Sequence, residues 1–180
     1  ADLDFDGDDC LADLWEGQVR VTRALFRITG VLEPDKPSLT ALARELPYLA
    51  ARGCDAFYPD SKPVIQRLHQ AGFILGIATH VISPLARRML EGAGVLNLFA
   101  GPLLCPDVTE RFRKDRAFYL AACVAGEQCL VIDDGLDGIQ GAKAAGMGTV
   151  QICRGKVPPE PLADHILRGD LYGLVDYLGI

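Results

Sequence analysis

Short apolar runs alternate along this chain with segments in which apolar residues recur every three or four positions. The apolar runs at residues 73–79, 98–104, 129–132 and 149–152 are typical of buried strands. Helical periodicity fills the intervals, with predicted helices at residues 61–71, 83–90, 115–124, 138–145 and 171–178. Because strands separated by helices pair in parallel, the sequence predicts a Rossmann-like α/β fold, with helices on both faces of a parallel sheet.

Two further helices precede this alternating pattern. The first is predicted to begin at residue 11 and to end at Gly30, and the second is capped by Ser38 and kinked or ended by Pro47. They form an insertion after a first strand at residues 1–5. We therefore expect an α/β core made of residues 1–9 and 56–180, and a small α-helical cap made of residues 10–55.

The first predicted strand opens at Ala1 with almost nothing before it. A buried parallel strand usually reads as a longer apolar run. We therefore expect a few native residues to precede Ala1.

The composition excludes several classes of protein. The net charge of −6 and the isoelectric point near 5.0 argue against a nucleic-acid surface, which needs a basic stripe. No apolar run reaches the roughly 18 residues of a membrane span, and no charged and then apolar leader precedes the first strand. The six cysteines are scattered without a CxxC pair, so we expect reduced thiols in a cytoplasmic protein that is a monomer by default.

Polar residues stand at the ends of the predicted strands. Two carboxylates at i and i+2 end the first strand, a threonine ends the strand at residues 73–79, and an acidic pair ends the strand at residues 129–132, while a lysine precedes the helix between the last two. Because the carboxyl ends of parallel strands meet at one edge of a sheet, we expect these side chains to lie close together. In chain order they are Asp4, Asp6, Thr79, Lys114, Asp133 and Asp134.

A cluster of four carboxylates restricts the chemistry of this edge. Two carboxylates about 4 Å apart repel by about 4 kcal/mol at an effective dielectric constant near 20, so the cluster needs a cation or raised pKa values. Oxygen ligands without histidine or cysteine favour Mg²⁺, which also binds phosphate oxygens. An ionised carboxylate can attack phosphorus to form an aspartyl-phosphate, and the aspartate two residues further on can act as general acid and base.

The order of these residues resembles the motifs of the haloacid dehalogenase-like (HAD) superfamily. The run Asp4-Phe-Asp6-Gly7 is similar to its first motif, Thr79 after a strand to its second and Lys114 to its third. The run from Asp133 to Met147 resembles the E/D-D-S-x-x-G-I-x-x-A-x-x-A-G-M form of the β-phosphoglucomutase-like and phosphoglycolate phosphatase-like branch. The helical insertion resembles that family's type 1 cap.

The resemblance implies a role for each matching residue. Asp4 would be the nucleophile and a metal ligand, and Asp6 the general acid and base that also binds metal through its carbonyl oxygen. Thr79, Lys114 and the backbone amide of His80 would hold the phosphoryl group. Asp133 and Asp134 would hold Mg²⁺. An acid at position 6 favours phosphoryl transfer over dehalogenation, so the resemblance implies an Mg²⁺-dependent phosphatase acting on a small phosphorylated metabolite.

Other functions share some of these motifs. A phosphomutase would use all of them, and a degenerate family member would bind phosphate without turnover. A receiver domain of the response-regulator type also uses Asp, Thr and Lys, but there the acidic pair follows the first strand, the reverse of the order here. The chain departs from the family pattern at Asp8 and Asp9, at Asp115 in place of the usual proline, and at Gly135 in place of the usual serine.

The arginines of the first predicted helix leave two interpretations open. Arg20, Arg23 and Arg27 lie on one face of the first helix, as a solvated face or as a grip on an anionic substrate. Asp137 is predicted to cap the helix that begins at Gly138.

Overall fold

We describe a computed structural model of the chain, which covers residues 10–53, 57–122, 129–155 and 158–180. The predicted first strand, with Asp4, Asp6, Asp8 and Asp9, lies outside the described residues. The described helices are α1 (Cys10–Thr29), α2 (Lys36–Gly53), α3 (Ser61–Gln70), α4 (Ser83–Gly92), α5 (Pro106–Thr109), α6 (Arg116–Leu120), α7 (Leu136–Ala144) and α8 (Tyr172–Leu178). The described strands are β1 (Ile77–Ala78), β2 (Leu103–Leu104), β3 (Leu130–Asp133), β4 (Gly148–Cys153) and β5 (His165–Arg168).

The strands form two parallel groups. Strands β1 and β2 pair through Ile77 with Leu103, and β4 lies between β3 and β5, with Asp133 opposite Gln151. The parallel sheet predicted from the sequence is therefore confirmed. Three details of the predicted strands were wrong. β1 is much shorter than residues 73–79, where Ile74 is 75% exposed and not buried as predicted, and β2 is much shorter than residues 98–104, since Leu96–Leu98 form a short 3-10 helix. β5 was not predicted.

Helices cover both faces of the β3–β4–β5 sheet, as predicted. On one face, Val150 and Ile152 of β4 pack with buried residues of α3 and α8. On the other face, α6 and α7 contribute Phe118 and Ala142 to a second buried cluster. This sandwich of helix, sheet and helix fixes the carboxyl ends of β3 and β4 in space.

The helices α1 and α2 form a hairpin that packs on the rest of the chain. The carboxylate of Asp35 accepts the Ser38 N–H at 3.0 Å, so Asp35 caps α2 and the expected Ser38 cap was wrong. Pro47 lies inside α2 and does not end it. At its far end α2 contacts α4, where a Cβ on Gly92 would lie 2.4 Å from the Ala51 carbonyl oxygen. Glycine therefore lets these two helices approach closely.

Helix α4 begins with an acidic cap from another element. The backbone N–H and the hydroxyl of Ser83 both donate to the carboxylate of Asp107 in α5, at 2.8 Å and 2.6 Å. A carboxylate at a helix N-terminus satisfies free N–H groups and complements the helix dipole. This bond fixes the start of α4 just after the end of β1. Separately, within the ranges described above, no helix is long and apolar enough to cross a membrane.

Candidate active site

Thr79 and His80 follow β1 directly, at its carboxyl end. The Thr79 N–H donates to the Leu104 carbonyl oxygen at 3.0 Å, which extends the pairing of β1 with β2 by one residue. The Thr79 hydroxyl oxygen accepts the Val81 N–H at 3.1 Å, so the side chain is held in a tight turn at the strand end. The hydroxyl proton stays available to donate to a ligand.

The His80 ring lies between the strand end and the start of α7. It stacks on Phe112 with ring centres 5.3 Å apart, and its Nε2 lies 3.5 Å from Asp137 Oδ2. Burial and the nearby Lys114 charge lower the pKa of His80, and the carboxylates of Asp137 and Asp133 oppose this shift. His80 therefore favours the neutral ring.

Lys114 and Asp133 form a shielded ion pair. Lys114 Nζ lies 2.7 Å from Asp133 Oδ2, and the two side chains are only 11% and 8% exposed. The other carboxylate oxygen of Asp133 accepts the Gly135 N–H at 2.8 Å. Both oxygens of Asp133 thus have partners, and the ammonium of Lys114 is fixed at the carboxyl end of β3.

Two glycines of α7 make room for this ion pair. A Cβ on Gly138 would lie 2.3 Å from Asp133 Oδ2, and a Cβ on Gly141 would lie 1.8 Å from the Lys114 carbonyl oxygen. Real side chains do not approach that closely, so a larger residue at either position would displace its neighbour. The helix after the acidic pair is therefore matched to the placement of Lys114 and Asp133.

Asp134 and Asp137 have different surroundings from Asp133. Asp134 is exposed beyond the end of β3, where its carboxylate is open to a ligand. Asp137 lies in the first turn of α7, whose N-cap is Gly135, so the predicted capping role of Asp137 was wrong. Instead Asp137 contacts His80 and links the end of β1 to the end of β3.

A buried polar network supports the backbone of Asp134. Gln151 of β4 has no exposed surface, and its amide nitrogen donates to the carbonyl oxygens of Pro158 and Asp134 at 3.2 Å and 3.4 Å. Its amide oxygen accepts the Glu160 N–H at 2.6 Å, and the Glu160 carboxylate accepts from Gln140 of α7 at 2.9 Å. Gln151 was not among the predicted site residues, although the polar residues at alternate positions of β4 indicate that one face of this strand carries polar contacts.

The structure thus places five of the predicted site residues at or beside the carboxyl ends of β1 and β3. Thr79 and His80 follow β1, Asp133 and Asp134 end β3, and Lys114 bonds to Asp133. Asp4 and Asp6 lie outside the described residues. In the part of the chain that the structure describes, no three His, Cys, Asp or Glu side chains are grouped to hold a metal ion. The exposed oxygens of Asp134 fit Mg²⁺, which prefers carboxylate ligands and keeps several waters.

One of the arginines on α1 has a partner of its own. Arg23 Nε lies 2.8 Å from the Glu33 carboxylate in the loop between α1 and α2, and both side chains are 37% exposed. Arg20 and Arg27 are exposed. A solvated face is therefore the better description of these arginines.

The fold and the strand-end residues define an α/β protein of the class that carries its chemistry at the carboxyl ends of parallel strands. The sequence profile of the haloacid dehalogenase-like hydrolase family matches residues 2–146. The chain belongs to this family, which confirms the resemblance seen in its motifs.

Curated relatives of the chain are phosphatases by name. It is 31% identical over 119 residues to the phosphoserine phosphatase of Thermus thermophilus, covering 63% of this chain and 48% of the relative. It is 29% identical over 157 residues to the phosphoglycolate phosphatase of Vibrio cholerae, covering 81% and 68%. The chain thus spans about half the length of the first of these relatives.

Solved structures share the fold. The HAD phosphatase from Thermococcus onnurineus superposes with a TM-score of 0.63 at 24% identity, covering 97% of this chain and 95% of that structure. The L-2-haloacid dehalogenase from Xanthobacter autotrophicus superposes with a TM-score of 0.62 at 19% identity, covering 88% and 74%. At these identities the likeness concerns the fold alone.

Proposed function

We propose that this protein is an Mg²⁺-dependent phosphatase that hydrolyses a small phosphorylated metabolite through an aspartyl-phosphate. The observation that carries the proposal is the shielded Lys114–Asp133 pair at the end of β3, because it fixes a cation where a phosphate would need one. The phosphatase names of the curated relatives support the same reaction.

Three groups are suited to bind the phosphoryl oxygens. The Lys114 ammonium supplies positive charge, the Thr79 hydroxyl donates one hydrogen bond, and the backbone N–H of His80 donates another. Asp133 acts through Lys114, because its two oxygens bond to the ammonium and to the Gly135 N–H. Preorganised donors of this kind stabilise the charge that develops on a transferring phosphoryl group.

Asp4 and Asp6 would carry the covalent steps. A carboxylate oxygen of Asp4 attacks phosphorus, the bond from phosphorus to the ester oxygen breaks, and Asp6 gives its proton to the departing alkoxide. Asp6 then takes a proton from water as the water oxygen attacks phosphorus, and the bond from Asp4 to phosphorus breaks to release phosphate.

Asp4, the Asp6 carbonyl oxygen and Asp134 would hold Mg²⁺, with Asp133 behind them as the partner of Lys114. Bound Mg²⁺ would neutralise phosphate charge and ease the repulsion between the carboxylates. We propose that the protein is cytoplasmic and that its cysteines stay reduced there. We take the monomer as its default state.

Release of phosphate from a panel of phosphate monoesters, with Mg²⁺, tests this proposal. Asp4→Asn and excess EDTA should each abolish turnover. Asp176→Asn, which changes an exposed carboxylate on α8, is the matched control and should keep it. A folded protein without turnover on every monoester would contradict the phosphatase function, and transfer of phosphate to a sugar phosphate rather than to water would identify a mutase.

A further inference from the structure

A cleft lies between the α1–α2 hairpin and the segment that follows β1. Its volume is about 120 Å³. Helix α1 contributes two residues to it, α2 contributes two, and the segment from His80 to the first turn of α4 contributes the rest. The lining residues are Trp15, Gln18, Pro47, Tyr48, residues 80–82 and Leu85. We call this space the hairpin pocket.

The hairpin pocket adjoins the candidate phosphate site. His80 lines it, and His80 directly follows Thr79, whose hydroxyl oxygen accepts the N–H of Val81, another lining residue. The fixed start of α4, where Ser83 bonds to Asp107, keeps this wall in place. A phosphate bound at Thr79 and Lys114 would therefore lie next to the wall of the pocket.

The walls of the hairpin pocket are aromatic and aliphatic. Among the described residues that line it, only Gln18, the Tyr48 hydroxyl and the His80 ring are polar, and none is a lysine, arginine, aspartate or glutamate. A carboxylate or a second phosphate placed there would lose its hydration without gaining a charged partner from these lining side chains, since the Arg44 guanidinium lies against the Trp15 ring and is not itself part of the lining. The pocket thus disfavours a second anionic group on the substrate.

The size of the hairpin pocket matches a single ring. An apolar cavity of about 150 Å³ binds benzene, so a space of 120 Å³ suits a ring or a short branched alkyl group. The Arg44 guanidinium lies 5.7 Å from the centre of the Trp15 ring, a cation–π contact that helps to hold the indole in the wall.

We propose that the hairpin pocket receives the alcohol part of the substrate, which is a phosphate monoester of a small aromatic or apolar alcohol. This inference rests on the phosphatase function proposed above. It separates the chain from the relatives named for phosphoserine and phosphoglycolate, whose substrates carry a carboxylate beside the phosphate.

Two phosphate esters of primary alcohols test the choice of substrate. Benzyl phosphate carries an apolar ring, whereas glycerol 3-phosphate carries hydroxyls, and phosphoglycolate adds an anionic comparison. We expect kcat/KM for benzyl phosphate to exceed that for the other two at least about tenfold, since even one methylene in an apolar pocket contributes about tenfold or more. Faster hydrolysis of glycerol 3-phosphate or phosphoglycolate would overturn the pocket assignment and leave the phosphatase function standing.

Binding can be followed without turnover, because Trp15 is the sole tryptophan of the chain. Benzylphosphonate cannot be hydrolysed at its carbon–phosphorus bond, and it should change the Trp15 emission in a saturable way, while phosphonoacetate should not. A saturable change without hydrolysis of any ester would support the pocket and contradict the phosphatase function. No change and no hydrolysis would overturn both.

Variants of the pocket wall localise the effect. Tyr48→Ala should lower the ratio of kcat/KM for benzyl phosphate to that for glycerol 3-phosphate about tenfold and should weaken the Trp15 response to benzylphosphonate to a similar degree. The matched control is Ile28→Ala on α1, whose side chain is 81% exposed, and it should leave both unchanged. An unchanged ratio in folded Tyr48→Ala would contradict the assignment.

Discussion

The ammonium of Lys114 lies 2.7 Å from the carboxylate of Asp133, although the two residues are 19 positions apart in the chain. Each side chain is about nine-tenths buried, so neither charge is well hydrated. An ion pair of this kind ties the loop before α6 to the end of β3. Loss of one partner leaves the other charge buried without compensation.

Asp133→Asn should therefore destabilise the protein by about 3 kcal/mol, measured as the free energy of unfolding in urea. The control is Glu91→Gln, which removes a carboxylate from the exposed pair of Arg88 and Glu91, and its cost should stay below about 1 kcal/mol. Equal effects of the two substitutions would show that the Lys114–Asp133 pair is hydrated like a surface pair.

The glycines of α7 give a second prediction. Gly138→Ala should push the Asp133 carboxylate away from Lys114, and Gly141→Ala should push the backbone of Lys114 itself, because their Cβ atoms would lie 2.3 Å and 1.8 Å from these neighbours. We expect each to destabilise the protein by more than about 2 kcal/mol in urea unfolding, the scale of overpacking.

Gly17→Ala in α1 is the control for that pair of substitutions. No described atom outside the backbone of α1 lies within 4 Å of its added Cβ, and alanine in an open helical position should stabilise the helix by about 1 kcal/mol. Similar losses at all three positions would contradict the argument from close approach.

The local sequence contained enough information for much of this arrangement. An apolar run ending in an acidic pair, followed by helical periodicity and a glycine stop, defines β3 and α7, and the structure has both within two residues of the expected bounds. Asp115 replaces a usual proline, yet it caps α6 by accepting the Phe118 N–H at 2.9 Å. Short-range signals of this kind depend on neighbours in the chain, which the sequence supplies.

The missed features depend on distant partners. Pro47 removes one hydrogen bond inside α2, but burial of Ala51 in the contact with α4 favours continuing the helix past it. β5 is short and ends in Arg168, so its apolar signal is weak, and pairing with β4 defines it. The contact of Asp137 with His80 needs two strand ends to meet, which no local pattern encodes.

The charges around His80 predict how its pKa responds to substitution. The Lys114 charge adds to burial in lowering the pKa of His80, and Asp137 raises it. Lys114→Met should therefore raise the His80 pKa, and Asp137→Asn should lower it further. Proton NMR of the three histidines during a pH titration measures this, with His80→Asn giving the assignment. Shifts in the same direction in both variants would contradict the geometry.

Asp60 and Arg154 form a second buried ion pair that should make stability depend on pH. Asp60 Oδ2 accepts from Arg154 at 2.5 Å and from the Leu171 N–H at 2.6 Å, which joins the start of α3 to β4 and α8. Burial alone would raise the pKa of Asp60, but the bonds from Arg154 and Leu171 outweigh it and hold the pKa below 3.8. The ionised form is thus favoured by folding.

Asp60→Asn should cost about 3 kcal/mol at neutral pH, because Arg154 loses its buried partner. The lowered pKa means that the stabilisation is fully present above pH 3.8 and is lost as the pH falls through the lower folded value. Urea unfolding at pH 7 and at decreasing pH below 4 should show the two proteins converging. A constant difference down to the lowest pH would exclude ionisation of Asp60 as its source.

Gln151 supports the Asp134 loop from inside the sheet, and its substitution should act on both stability and metal binding. Gln151→Leu puts an apolar side chain of similar size in the same place and leaves the buried Glu160 N–H and the carbonyl oxygens of Pro158 and Asp134 without this partner. Unsatisfied buried groups cost about 2 kcal/mol in the free energy of unfolding. Because Asp134 is the exposed carboxylate of the proposed site, the loosened loop should also weaken Mg²⁺ binding about tenfold.

Isothermal titration calorimetry with Mg²⁺ alone, beside urea unfolding, separates the two effects of Gln151→Leu. The control is Gln66→Leu on α3, which makes the same change from glutamine to leucine at an exposed position. It should change neither the free energy of unfolding nor the Mg²⁺ affinity by more than the scatter of the measurement. A stability loss with unchanged Mg²⁺ affinity would mean that Asp134 keeps its position without Gln151, and the network would then serve only the packing of β4 against the loop at Glu160.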